Sequence, residues 1–192
     1  MTVIHTQLTD GTPVCIREVR EDDEARLREG IAKLSQHSRY LRFFSGMSVP
    51  PPTVIDKLVS ADGHDHIAWG AIKTSDPGLP ALGVVHAFRD PDDPASADFS
   101  VAVLDDYHGL GLARLLTAVV LFDARAENLT ELNVQILSEN KAALGLTRAL
   151  GGHYVGQDHG VAEFEIVIDD AIQSLRDNES IKGLVPIFDH FA

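Results

Sequence analysis

The chain has 192 residues, 44% of them hydrophobic, with a formal net charge of −13 and one cysteine. That length suits one globular domain with a substantial core, and the acidity argues against nucleic acid, whose affinity comes from Lys and Arg neutralising phosphates. No apolar run reaches the roughly 20 residues that a bilayer-spanning helix needs, and no basic-then-apolar leader opens the sequence, so a cytoplasmic protein without a membrane partner is expected.

Pro13 to Val19 is apolar and β-branched and predicts a strand, with Cys15 as a buried strand residue between Val14 and Ile16. A lone cysteine excludes an internal disulfide and a cysteine-rich metal site. Glu21-Asp22-Asp23-Glu24 predicts a helix start capped by Asp22, and Leu27, Ile31 and Leu34 follow at helical spacing. A short helix is expected over Ser38 to Phe44, broken by Pro50-Pro51-Pro52, and a third over Thr53 to Val59. The pattern then turns strand-like. His66 to Lys73 and Ala81 to Arg89 read as strands around an Asp76-Pro77-Gly78 turn, and Asp98 to Leu104 as a third, with Phe99, Val101 and Val103 on one face. Segments of period two joined by such turns predict an antiparallel meander.

A long apolar helix is expected over Leu112 to Ala126, a strand over Glu131 to Leu137, and a helix over Asn140 to Leu150 closed by Gly151-Gly152. Strands at His153 to Val155 and Val161 to Ile168 complete a mixed sheet. The tail adds a helix and an apolar end, Leu184 to Phe188, which suggests an oligomerisation arm and a homodimer. No repeat, low-complexity segment or linker marks a second domain.

The chemistry concentrates where the third meander strand runs into the long helix. His108-Gly109-Leu110-Gly111-Leu112-Ala113-Arg114 places two glycines before a helix N-terminus, where unpaired amides and the helix dipole favour an anion and glycine lets it come close. Arg114 adds a side-chain charge. A Rossmann fingerprint needs a small residue at the position of Arg114 and a parallel βαβ unit, and a P-loop needs Gly-Lys-Ser/Thr, so both nucleotide readings fail.

This segment resembles the pyrophosphate signature of the GNAT superfamily of N-acetyltransferases, Gln/Arg-x-x-Gly-x-Gly/Ala, with His108 at the Gln/Arg position. Tyr107 and Arg114-Leu115-Leu116 are similar to the family as well, and Asn140-x-x-Ala143 resembles the start of the helix beside the pantetheine arm. The resemblance spans about residues 13 to 168. Ser38-Arg39-Tyr40-Leu41-Arg42-Phe43-Phe44 and Ala97 to Val103 also resemble Pat-type protein lysine acetyltransferases, which carry Glu where this chain has Asp98.

The resemblance implies an α/β fold: a mixed, mostly antiparallel twisted sheet of about seven strands, with helices on both faces, splayed where CoA enters. It implies acetyl-CoA as cosubstrate, held by His108 to Arg114 and by Asn140, and an amine acceptor such as a protein lysine or a small amine beside Tyr40 and Arg42. Asp98 is the best-placed base for an amine whose pKa is about 10.4, or alternatively a solvated strand-end residue. A strand amide at Val103 or Leu104 is expected to stabilise the thioester oxygen. Thr147 stands where many relatives have a Tyr general acid, and Tyr154 is a remote substitute. Cys15 lies in the wrong strand for a covalent intermediate, so attack is direct. His64-Asp65-His66 lacks a third ligand, so no metal is expected. The acidic surface favours cationic acceptors. The departures at His108, Asp98 and Thr147 keep open a non-catalytic module that binds acyl-CoA as sensor or scaffold.

Overall fold

The computed structural model describes residues 2–45, 50–76, 78–178 and 181–192. Pro77 of the predicted Asp76-Pro77-Gly78 turn falls outside these residues. One eight-stranded sheet organises the fold. Its strands are β1 (Val3–Gln7), β2 (Pro13–Glu18), β3 (His66–Lys73), β4 (Ala81–Arg89), β5 (Ser96–Val103), β6 (Glu131–Leu137), β7 (His153–Asp158) and β8 (Val161–Val167). Their order is β1-β2-β3-β4-β5-β6-β8-β7, and every neighbouring pair is antiparallel except β5 with β6. The strand beyond the seven expected is β1, whose only buried residue is Ile4. It carries no alternating apolar pattern and is recruited by pairing with β2.

Helices α1 (Glu24–Lys33), α2 (Gln36–Phe43) and α3 (Pro52–Val59) connect β2 to β3. Leu27 and Ile31 of α1 and Ile55, Leu58 and Val59 of α3 form a small core with Phe43, Val84 and Phe88. The larger core surrounds α4 (Leu112–Ala126), of which ten residues are buried, including Leu115, Leu116, Val119 and Val120. A helix apolar on nearly all sides must be covered all round. The sheet covers α4 on one side, and α6 (Ile168–Arg176) and α7 (Val185–His190) lie against it too. Helix α5 (Lys141–Ala149) joins this core through Leu144.

Two expectations change. Asp22 does not cap α1: a 3-10 turn over Glu21–Asp23 precedes that helix, and Asp23 is buried. Its carboxylate accepts two hydrogen bonds from Arg17, at 2.7 and 2.6 Å, and one from Arg26 at 2.6 Å. Neutralising a covered arginine outweighs a local cap. Cys15 is half-buried, because Val14 and Ile16 point into the core and strand alternation turns the residue between them to the other face. The apolar tail packs on its own domain. Leu184 and Ile187 are buried, Phe191 stacks on Phe122 at 5.0 Å, and Thr6 Oγ1 donates to the Gly183 carbonyl at 2.7 Å.

Candidate active site

The site begins where two strands part. β5 and β6 pair only over Ser96–Asp98 and Glu131–Asn133, after which β6 follows β8 along its full length. On the other side β5 stays paired with β4, and the Leu104 amide donates to the Leu82 carbonyl at 2.9 Å. Antiparallel bonding alternates, so Ser100 and Ala102 also face β4, while the backbone groups of Val101 and Val103 face the gap left by β6. Of the two amides expected to meet a thioester oxygen, Val103 therefore faces the gap and Leu104 is already engaged. Val101, which the sequence reading omitted, shares the free edge; pairing register is the signal that reveals it.

The turn into α4 closes the wide end of this gap. Gly109 (φ 75°) and Gly111 (φ 84°) take left-handed conformations that favour glycine. A Cβ on Gly109 would meet nothing within 4 Å, whereas one on Gly111 would lie 3.5 Å from Thr9 and Ile181. The first glycine thus faces open space and the second abuts the molecule. The Thr9 amide donates to the Leu110 carbonyl at 3.1 Å, so the loop after β1 braces the turn from below. Leu112 is buried and anchors the helix start, while Ala113 and Arg114 stay half-exposed. The amides of Gly111, Leu112 and Ala113 have no protein acceptor among the described residues. That cradle fits a phosphate.

His108 lies beside the end of β5. Its Nε2–H donates to the Val103 carbonyl at 2.9 Å, so the ring straps the turn to the end of β5. Asn140 caps α5 by accepting the Ala143 amide at 3.0 Å.

The opposite face of β5 presents Asp98, Ser100 and Ala102, since Phe99, Val101 and Val103 pack towards the α4 core. Asp98 is exposed at the narrow end of the gap. Partial burial of its carboxyl and the neighbouring Asp90 push its pKa up, against a smaller opposite pull from Lys57. Arg42 of α2 reaches this face, its Nη2 donating to Ser100 Oγ at 2.8 Å. Tyr40, expected beside it, is 37% exposed.

Asp105 is a participant the sequence concealed. Its carboxylate accepts Ser35 Oγ and Ser38 Oγ, both at 2.7 Å, and the Ser35 amide at 3.1 Å. Slight burial opposes ionisation, but these hydrogen bonds prevail and hold its pKa down to about 2. Asp105, two residues past β5, thereby pins the start of α2 to the approach of the glycine turn, a contact 67 to 70 residues apart in sequence. His66 is occupied as well: its Nε2 lies 3.0 Å from His86 Nδ1, and its ring stacks on Phe88 at 4.0 Å. Among the described residues no group of three His, Cys, Asp or Glu side chains could hold a metal. Thr147 is buried and Tyr154 is 60% exposed on β7.

Residues 36–151, more than half of the chain, match the Acetyltransferase (GNAT) family. The chain belongs to that family. It is 31% identical over 150 residues to "Acetyltransferase PA5475" of Pseudomonas aeruginosa, covering 78% of this chain and 79% of that protein. It is 26% identical over 166 residues to "Acetyltransferase Pat" of Mycolicibacterium smegmatis, covering 86% of this chain but 49% of that one, so it spans about half of Pat. The GNAT domain of S. lividans PAT has the same fold, with a TM-score of 0.78 at 21% identity, over 86% of this chain and 96% of that domain. No helix among the described residues is long and apolar enough to cross a membrane.

Proposed function

We propose that this GNAT protein transfers an acetyl group from acetyl-CoA to a primary amine by direct attack. The observation that carries the reading is the continuity of the cleft: three unpaired amides at the start of α4 open onto the free edge of β5, which leads to Asp98. The amides of Gly111, Leu112 and Ala113, with Arg114, take the pyrophosphate, and the backbone groups of Val101 with the Val103 amide serve the pantetheine arm and the thioester oxygen. Asp98, directly or through a water, takes the proton that the ammonium must lose before nitrogen attacks the carbonyl carbon. The C–S bond then breaks, the nitrogen that attacked loses its second proton to solvent to become the neutral amide, and the thiolate takes a proton from solvent. Thr147 is buried and Tyr154 stands in solvent on β7, which favours solvent as the acid.

The test is acetyl-CoA binding by calorimetry to the wild type and to Arg114→Glu, which sets a negative charge beside the pyrophosphate. The expected result is a dissociation constant raised at least tenfold in the variant, about 1.4 kcal/mol. A folded wild type that binds no acetyl-CoA would sink the proposal. Binding without transfer to any amine would favour the sensor or scaffold reading instead.

Asp105 yields a second expectation. Asp105→Asn weakens the tie between α2 and the cofactor turn, so the acceptor KM should rise about tenfold while acetyl-CoA affinity changes less than about twofold. Steady-state kinetics with each substrate varied in turn separates the two; a fall confined to acetyl-CoA affinity would show that Asp105 serves the turn alone.

A further inference from the structure

We propose that the acceptor amine carries a carboxylate, and that Arg42 with Ser100 is the site that holds it. The inference rests on the acetyl-transfer reading above and names the class of acceptor: a small amino acid rather than a polyamine.

The argument starts from how this fold treats its covered arginines. Arg17 and Arg26 share the carboxylate of Asp23. Arg89 lies 3.7 Å from Asp65 and also donates to the carbonyls of His64, Pro94 and Glu127. Arg42 differs. Its guanidinium reaches Ser100 Oγ and lies 5.1 Å from the Phe43 ring centroid, but no carboxylate comes within 4 Å of it among the described residues. A covered cation without an anion is costly, because water is withdrawn and nothing replaces it. Burial lowers the Arg42 pKa to about 10, in keeping with that cost.

The neighbours supply no anion at that point. Beneath Arg42 lies His86, fully buried, with its Nε2 lacking a partner among the described residues. Burial, and then the positive charge of Arg42, hold its pKa well down, so the ring is neutral. His66, on β3, is likewise kept towards its neutral form by burial. Lys57 of α3 adds a second cation, 4.5 Å from the Phe88 ring centroid. The carboxylate facing this surface from β5 is Asp98, assigned to the amine. In a chain of net charge −13, this face sets the cations Arg42 and Lys57 beside Asp98 and its neighbour Asp90, and neither carboxylate pairs with Arg42. Long-range attraction favours cations, but the local arrangement matches a zwitterion.

Geometry limits the ligand's length. Asp98 and Ser100 stand two residues apart on one strand face, a spacing of roughly 7 Å. An amine at Asp98 and a carboxylate at Arg42 are therefore joined by only a few bonds. Arginine's planar fork accepts a carboxylate through two parallel hydrogen bonds, which also orients the amine. A polyamine would set a second cation against Arg42.

The experiment titrates the CoA-loaded protein by calorimetry with glycine, β-alanine, γ-aminobutyrate and ε-aminocaproate, each against its own amide. At least one acid should bind tenfold or more tightly than its amide. Arg42→Met should erase that preference and Arg42→Lys should retain part of it, with melting curves and CoA affinity confirming that both variants fold. The inference is overturned if every acid binds no better than its amide, if no acid binds, or if the preference survives Arg42→Met. CoA affinity is read in the same experiment. A wild type that binds CoA but ignores the carboxylate refutes this inference alone, whereas one that binds no CoA refutes the functional reading and this inference with it.

Discussion

Asp98→Asn is expected to lower kcat by about 10²–10⁴-fold, the usual contribution of a positioned general base, with acetyl-CoA affinity changed less than about twofold. The base works only when ionised, so the wild-type rate should rise with pH through the Asp98 pKa, which burial and Asp90 raise above the ordinary aspartate range. That limb should vanish in the variant. The stability effect has the opposite sign. A carboxyl whose folded pKa lies above its unfolded value favours the folded state only at low pH, and that contribution fades as pH rises through the folded pKa. At neutral pH the asparagine variant should melt no lower than the wild type. A variant that loses rate and melting temperature together would show that Asp98 is structural, and one that keeps its rate would remove it from the mechanism.

Asp23→Ala should cost about 3–5 kcal/mol of stability, the usual penalty for removing one partner of a buried ion pair. Arg17, whose side chain is only 15% exposed, loses both hydrogen bonds to that carboxylate, and Arg26 loses its own. For a chain of this size the expected fall in melting temperature is roughly 6–20 °C. Burial alone would raise the Asp23 pKa, but Arg17 and the Arg20 amide outweigh it and the net shift is downward. The stabilisation it provides is therefore present above its ordinary pKa and lost as pH falls towards the folded value. In Asp23→Ala that acid-side loss should be missing between about pH 4 and the folded pKa. Urea melts across this range measure both effects. A loss under about 1 kcal/mol would mean that the pair offers little beyond what solvent gives.

Local pattern in the sequence foretold much of this. The α4 stripe is apolar enough, and its glycine turn distinctive enough, that helix, turn and preceding strand needed no tertiary information. Asn140 was legible for the same reason, since a cap acts within one turn. What stayed hidden depends on register and on distant partners. β1 exists because β2 offers it an edge, the free backbone of Val101 follows from where β6 departs, and Asp105 meets serines about seventy positions earlier. The hydrogen bond from the His108 ring to the Val103 carbonyl was likewise invisible, because a motif position does not show where a side chain turns. Arg42 shows both sides. The sequence led to the expectation of an acceptor contact, but only the fold shows that no carboxylate pairs with it among the described residues.

The bracing of the glycine turn has a consequence for how the protein comes into being on the ribosome. Gly111 rests against Thr9 from the beginning of the chain and Ile181 from near its end, and Thr6 is tied to Gly183 across 177 positions. The sheet and α4 emerge from the exit tunnel well before Ile181 does. A nascent chain therefore holds a nearly finished scaffold around a turn that lacks half of its support. The turn is therefore fully braced only after Ile181 and Gly183 have folded back over the strand that carries Thr6.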